Sequence, residues 1–158
     1  LTALHSTPER FACGISMAGP TDLPGLVEAF PAHWQVDLSM WHNFVGDPRV
    51  PADRAEMARR SPLNHVAKIV RPVLLIHGER DVRVRIDQSQ RMAAALKAAG
   101  RPVRIVAIAG MGHSPGWWAH RYRVLRETER FLAACAGGQA IGFDIHDPLV
   151  RAWTLISG

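Results

Sequence analysis

Asp81 and His113 are the two side chains of this sequence whose types and settings could do chemistry together. Asp81 closes the run R-P-V-L-L-I-H-G-E-R-D (71–81), and His113 follows V-R-I-V-A-I-A (103–109) and Gly110-Met111-Gly112. Each stands just past an apolar segment of strand length. In a parallel sheet both would emerge at the carboxyl edge, where open α/β sheets gather ligands and catalytic groups. Histidine is the usual general base near neutral pH, and a carboxylate on its second nitrogen fixes the tautomer and stabilises the imidazolium. Gly110 and Gly112 leave room for a substrate beside it. Either residue alone reads as an ordinary turn or loop residue. The pair, in this order on consecutive strand ends, favours acid–base catalysis.

In α/β-hydrolases the order along the chain is Ser, Asp, His, so on that pattern a nucleophilic serine should precede both. The nearest match is Gly14-Ile15-Ser16-Met17-Ala18, a G-x-S-x-A variant of the nucleophile turn. That turn joins a strand to a helix, whereas Phe11–Ala18 reads as continuous strand with no helical pattern behind it. Ser16 is therefore read as a strand serine. Ser114 adjoins the histidine too closely to serve it, and Ser61, before Pro62, reads as a turn residue. No convincing nucleophile lies in these residues. His77, Asp81 and His113 could converge on a metal, but no H-x-x-x-H or C-x-x-C spacing supports this, and neither metal nor cofactor is expected. His5, His33, His42, His65, His120 and His146 have no evident partners.

The elements that must position the pair follow from the apolar pattern. Val73–His77, bounded by Pro72 and Gly78, reads as a strand buried on both faces, the mark of a parallel sheet between helices. Residues 1–7 read as the last turns of a helix, Phe11–Ala18 as a strand and Val103–Ala109 as another. Asp87 to Gly100 reads as a helix with Met92, Leu96 and Ala99 on one side. Ala119 to Cys135 reads as a helix whose stripe is Val124, Leu125, Thr128, Phe131, Leu132 and Cys135. Between the first two strands, residues 23–62 read as an irregular insertion with helical pieces near 25–30, 39–45 and 51–60. Its Trp34, Trp41 and Phe44 could line a pocket. The alternation predicts a parallel α/β sheet with right-handed crossovers, here of three strands with two open edges. From Gly137 onward no periodicity is visible, and residues 137–158 are set apart as a tail.

Bulk properties limit the function classes. The chain has 158 residues and 47% hydrophobic content, enough for one domain with its own core. Its net charge of +5 and pI near 10.2 come almost entirely from arginine, dispersed along the chain without interleaved aromatics. That pattern argues against nucleic-acid binding. No apolar run reaches the roughly 20 residues of a membrane helix, so no membrane association is expected. Cys13 and Cys135 stand far apart in apolar settings and read as small buried hydrophobes, so thiols leave the compartment open. The opening residues lack a basic start and apolar core, which suits a cytoplasmic protein. The chain does not begin with Met, which leaves room for a leader or further domain upstream.

With these residues assembled, a family likeness emerges. Ser61-Pro62, Ile69, Pro72–Gly78, Asp81, Val84 and Gln88-Ser89, in this order and spacing, resemble the C-terminal catalytic domain of the prolyl oligopeptidase family of serine peptidases. The opening P-E-R-F-A-C-G-I-S-M-A-G-P-T-D-L resembles that family's segment after the nucleophile helix, and Gly112-His113 its catalytic histidine turn. The resemblance covers about residues 1–135. Arg85 departs from it where many relatives have proline, and the tail does not follow it. It implies the C-terminal portion of an α/β-hydrolase fold over 1–136, with a Ser-His-Asp triad acting on peptide or acyl-peptide substrates. Asp81 then matches the catalytic aspartate and His113 the catalytic histidine. The serine lies in an upstream G-x-S-x-G-G segment, with a propeller domain before it in many relatives, so this stretch alone would be inactive. An acyl hydrolase such as a carboxylesterase, and a non-catalytic module that binds partners through an open sheet edge, remain alternatives.

Overall fold

In the computed structural model every side chain of β2, Val73–Gly78, is buried, as an uninterrupted apolar run demands. The structure describes residues 1–140, 142 and 146–156. β1 (Gly14–Met17) and β3 (Val103–Ile108) flank β2 in the order β1-β2-β3, both parallel to it. Leu74 pairs with Ile15 on one side, and Leu75 with Ile105 on the other.

The two faces of β2 feed two cores. Val73 and Leu75 pack with Leu4 of α1 (Thr2–Ser6), Ile69, and Met92, Ala93 and Leu96 of α5 (Asp87–Ala98). Leu74 and Ile76 pack with Val106, Ile108 and Met111, covered by Val124 and Phe131 of α6 (Trp118–Ala136). Helices on both sides of a parallel sheet are the layering expected from the sequence. The stripe drawn on α6 is only half used: Val124 and Phe131 reach the sheet, but Leu125 and Leu132 face outward, 67% and 41% exposed.

The insertion is better ordered than its pattern suggests. It holds α2 (Leu23–Glu28), α3 (Leu38–Phe44) and α4 (Pro51–Arg60), packed around Leu26, Val27, Phe30 and Met57. Val84, just past Asp81, joins the same cluster and ties the insertion to the sheet edge. Trp34 and Trp41 stack nearly parallel, 9° apart, with Phe30 edge-on to both. Phe44 takes no part and is 80% exposed.

Two readings change. Cys13 and Cys135 are not separate hydrophobes but a disulfide, Cα–Cα 6.0 Å, tying the approach to β1 to the last turn of α6. A pairing across 122 residues depends on the tertiary fold and leaves no local trace. The tail, part of which lies outside the described residues, contains α7 (His146–Ile156). Asp147 docks it on α6 by pairing with Arg126 and Arg130, and Trp153 packs on Trp117. No described helix is long and apolar enough to cross a membrane.

Candidate active site

β2 and β3 run side by side in the same direction, so the chain leaves both at one edge, where their loops are zipped together. Glu79 N–H donates to Ile108 O at 3.1 Å and Arg80 N–H to Met111 O at 3.0 Å. Gly78 permits this approach, since a Cβ there would collide with the Met111 and Gly112 carbonyl oxygens. Gly110, at φ 71°, turns the chain out of β3 toward the histidine.

The carboxylate of Asp81 is wholly enclosed, with its side chain 0% exposed. Its Oδ1 accepts the backbone N–H groups of Arg83 and Val84 at 2.9 and 3.0 Å, a turn that aspartate commonly closes on itself. Its Oδ2 receives His113 Nδ1 at 2.9 Å and lies 3.3 Å from His77 Nε2. Three N–H donors thus replace the water that burial takes from the carboxylate, with the His77 ring packed beside them. Because Nδ1 of His113 faces a carboxylate, it carries the hydrogen in the neutral ring, and the lone pair is left on Nε2. His113 is about a third exposed, so that lone pair is accessible. An imidazole held this way can accept a proton and be stabilised as the cation it becomes.

Beside the histidine opens a cleft of about 510 Å³, walled by Leu23, Leu26, Phe30, Trp34, Trp41 and Val84 with Arg83 and His113. Trp34 and Trp41 therefore line this cleft, whereas Phe44 lines a separate hollow with His42 and Arg60. Gln88 of α5 holds one wall in place. Its Oε1 accepts the Thr21 and Asp22 backbone N–H groups at 2.9 and 2.8 Å, while Thr21 Oγ1 donates to Gln88 O at 2.8 Å. This pins the loop that follows β1.

His77, Asp81 and His113 do converge, as the metal reading required, but the Asp81 carboxylate is hydrogen-bonded by His113 while the His77 ring is taken up by Ser89 and Val84. His77 Nε2 lies 2.8 Å from Val84 O, an oxygen that can only accept, so this nitrogen bears a hydrogen and has no lone pair for a metal. Among the described residues, no group of three or more His, Cys, Asp or Glu side chains is arranged to hold a metal ion. Nor is Ser16, Ser61 or Ser114 hydrogen-bonded to His113 there. Ser61 is buried and structural, accepting from Leu23 N–H and donating to Met57 O. Ser16 lies within β1, paired with Leu75. Sequence reasoning passed over Arg83 and named Gln88 only as part of the Gln88-Ser89 pair in the family resemblance, without its role in holding the loop after β1.

Solved structures define the class. An acylaminoacyl peptidase from Pyrococcus horikoshii superposes with a TM-score of 0.75 at 25% identity, over 93% of this chain and 24% of its own. A puromycin-hydrolyzing peptidase from Mycobacterium tuberculosis gives 0.79 at 27% identity, over 90% and 21%. The architecture is that of the α/β-hydrolase peptidases. The prolyl oligopeptidase family pattern matches residues 1–139, and the chain belongs to that family. Dipeptidyl aminopeptidase BIII of Pseudoxanthomonas mexicana is 34% identical over 140 residues, 89% of this chain and 20% of that protein. The human acylamino-acid-releasing enzyme is 34% identical over 96 residues, 58% and 11%. The chain spans about a fifth or less of the length of these curated relatives.

Proposed function

We propose that these residues supply the acid-and-base half of a serine peptidase that cleaves peptide or acyl-peptide bonds, with its nucleophilic serine upstream of Leu1. The observation that carries the reading is the 2.9 Å contact between His113 Nδ1 and the enclosed Asp81 carboxylate, at the edge of an apolar cleft. In the complete protein His113 Nε2 takes the serine proton as the hydroxyl attacks the scissile carbonyl. It then returns the proton to the leaving amine, while Asp81 holds the ring. The cleft beside it receives an uncharged, apolar side chain of the substrate. Arg83, in the same wall, offers guanidinium donors to a peptide carbonyl. The oxyanion donors, like the serine, come from the upstream part of the domain.

An upstream partner segment is supported by apolar surface on β1 and α6. Phe11, Ile15 and Met17 are 39%, 36% and 44% exposed, beside the edge of β1 that pairs with no strand among the described residues. The Cys13–Cys135 bridge favours an oxidising compartment over the cytoplasm read from the sequence, because cytosolic thiols are kept reduced. The test is turnover of an aminoacyl-naphthylamide by the full-length protein. Asp81→Asn should lower kcat about 10⁴-fold through the wrong tautomer, and His113→Ala should lower it comparably. Near-normal turnover by either variant would overturn the assignment.

A further inference from the structure

A histidine in the middle of an apolar strand needs an explanation, since buried polar groups are retained only with partners. His77 is fully buried in β2, and both of its ring nitrogens are engaged. Nδ1 lies 2.7 Å from Ser89 Oγ on α5. Nε2 lies 2.8 Å from Val84 O and 3.3 Å from Asp81 Oδ2. Both neighbours of Nε2 are acceptors, so that nitrogen carries the hydrogen, and Ser89 donates its hydroxyl hydrogen to Nδ1 of the neutral ring.

From this geometry we infer that His77, braced by Ser89, is a positioning residue that holds the Asp81 carboxylate in register with His113. The inference rests on the catalytic reading above. Asp81 is hydrogen-bonded at Oδ1 by its own turn and at Oδ2 by His113, and the His77 ring packs against Oδ2 at 3.3 Å. His113 sits on a partly exposed loop, whereas His77 sits on the central strand. The carboxylate is therefore anchored from the rigid side. The His77 N–H donates to the Val84 carbonyl at 2.8 Å, which ties the loop closing behind Asp81 to the same strand. Without the His77 N–H the Val84 carbonyl loses its donor and Oδ2 loses its neighbour on the strand, so the turn that holds the carboxylate is no longer tied to β2.

The test uses the full-length protein, with active sites counted by fluorophosphonate so that kcat is expressed per competent site. Labelling of the wild type first establishes the catalytic reading, so failure at that step is separate from failure of this inference. His77→Gln keeps an amide N–H near the position of Nε2, and His77→Leu does not. The expected result is that His77→Leu lowers kcat about 100-fold with KM within about threefold, while His77→Gln recovers to within about tenfold of wild type. Equal losses in both variants, or a loss expressed only in KM, would overturn it. Should His77→Leu fail to fold, Ser89→Ala decides: kcat reduced about tenfold at unchanged KM supports the inference, and wild-type kcat overturns it.

Discussion

The backbone of Met111 runs so close to Gly78 that a Cβ on that glycine would lie 2.7 Å from the Met111 carbonyl carbon. The approach is what brings the loops carrying Asp81 and His113 together. Gly78→Ala should therefore separate them, as overpacking that cannot relax into flexible side chains. A loss of about 1–3 kcal/mol in denaturant unfolding is expected, together with reduced turnover in the full-length protein. Unchanged activity would mean that the loops are held by other contacts.

Gln88 is the second brace, because its amide oxygen accepts two backbone N–H groups after β1. Gln88→Ala leaves them without a partner in a buried setting, at a cost of about 1–3 kcal/mol. The loop they belong to contributes Pro20 and Leu23 to the cleft wall, so KM should rise more than kcat falls. Steady-state kinetics beside a urea unfolding curve separate the two effects.

The Cys13–Cys135 bridge closes a loop of 122 residues. By the chain-entropy account a closure of this length adds about 2–5 kcal/mol. Peptide mapping of the unreduced, denatured protein should find the Cys13 and Cys135 peptides joined and neither of them alkylated. A Cys13→Ser, Cys135→Ser variant should unfold at lower denaturant, and two titratable thiols in the native protein would contradict the bridge.

Acidification should weaken the fold in two steps. Burial holds His120 and His5 below the ordinary histidine value of 6.5, and for His5 the nearby His65 and Lys68 add to this. The unfolded chain then binds more protons than the native one, so stability falls as pH drops below about 6.5. Asp147 is held below the ordinary carboxylate value of 3.8, first by its hydrogen bond from Arg126 and also by the charge of Arg130. Its contribution is present above that value and is lost as pH falls through it. Thermal melts between pH 8 and pH 3 should show both declines, the first flattened in His120→Gln.

What the sequence disclosed and what it hid divide along a physical line. β2, α5 and α4 were legible because each is specified locally, by an apolar run between Pro72 and Gly78, by the Met92–Leu96 spacing, and by Pro51 at a helix start. The convergence of Asp81 and His113 followed from their order on parallel strands. The disulfide, the Gln88–Thr21 pair and the double anchoring of Asp81 were hidden, since each joins residues by tertiary placement. α7 was missed although its apolar residues recur at helical spacing; Val150 is buried, and Asp147 meets Arg126 and Arg130 through contacts that only the tertiary fold creates. On α6 the rhythm overstated the core, because Leu125 and Leu132 belong to the stripe yet face outward.

The most direct measurement is fluorophosphonate labelling of the full-length protein, followed by peptide mapping of the modified serine. The expected result is a single labelled serine upstream of Leu1, with labelling lost in His113→Ala and sharply slowed in Asp81→Asn. Labelling at Ser16, or undiminished labelling in His113→Ala, would contradict the assignment of these residues as the base and its carboxylate partner.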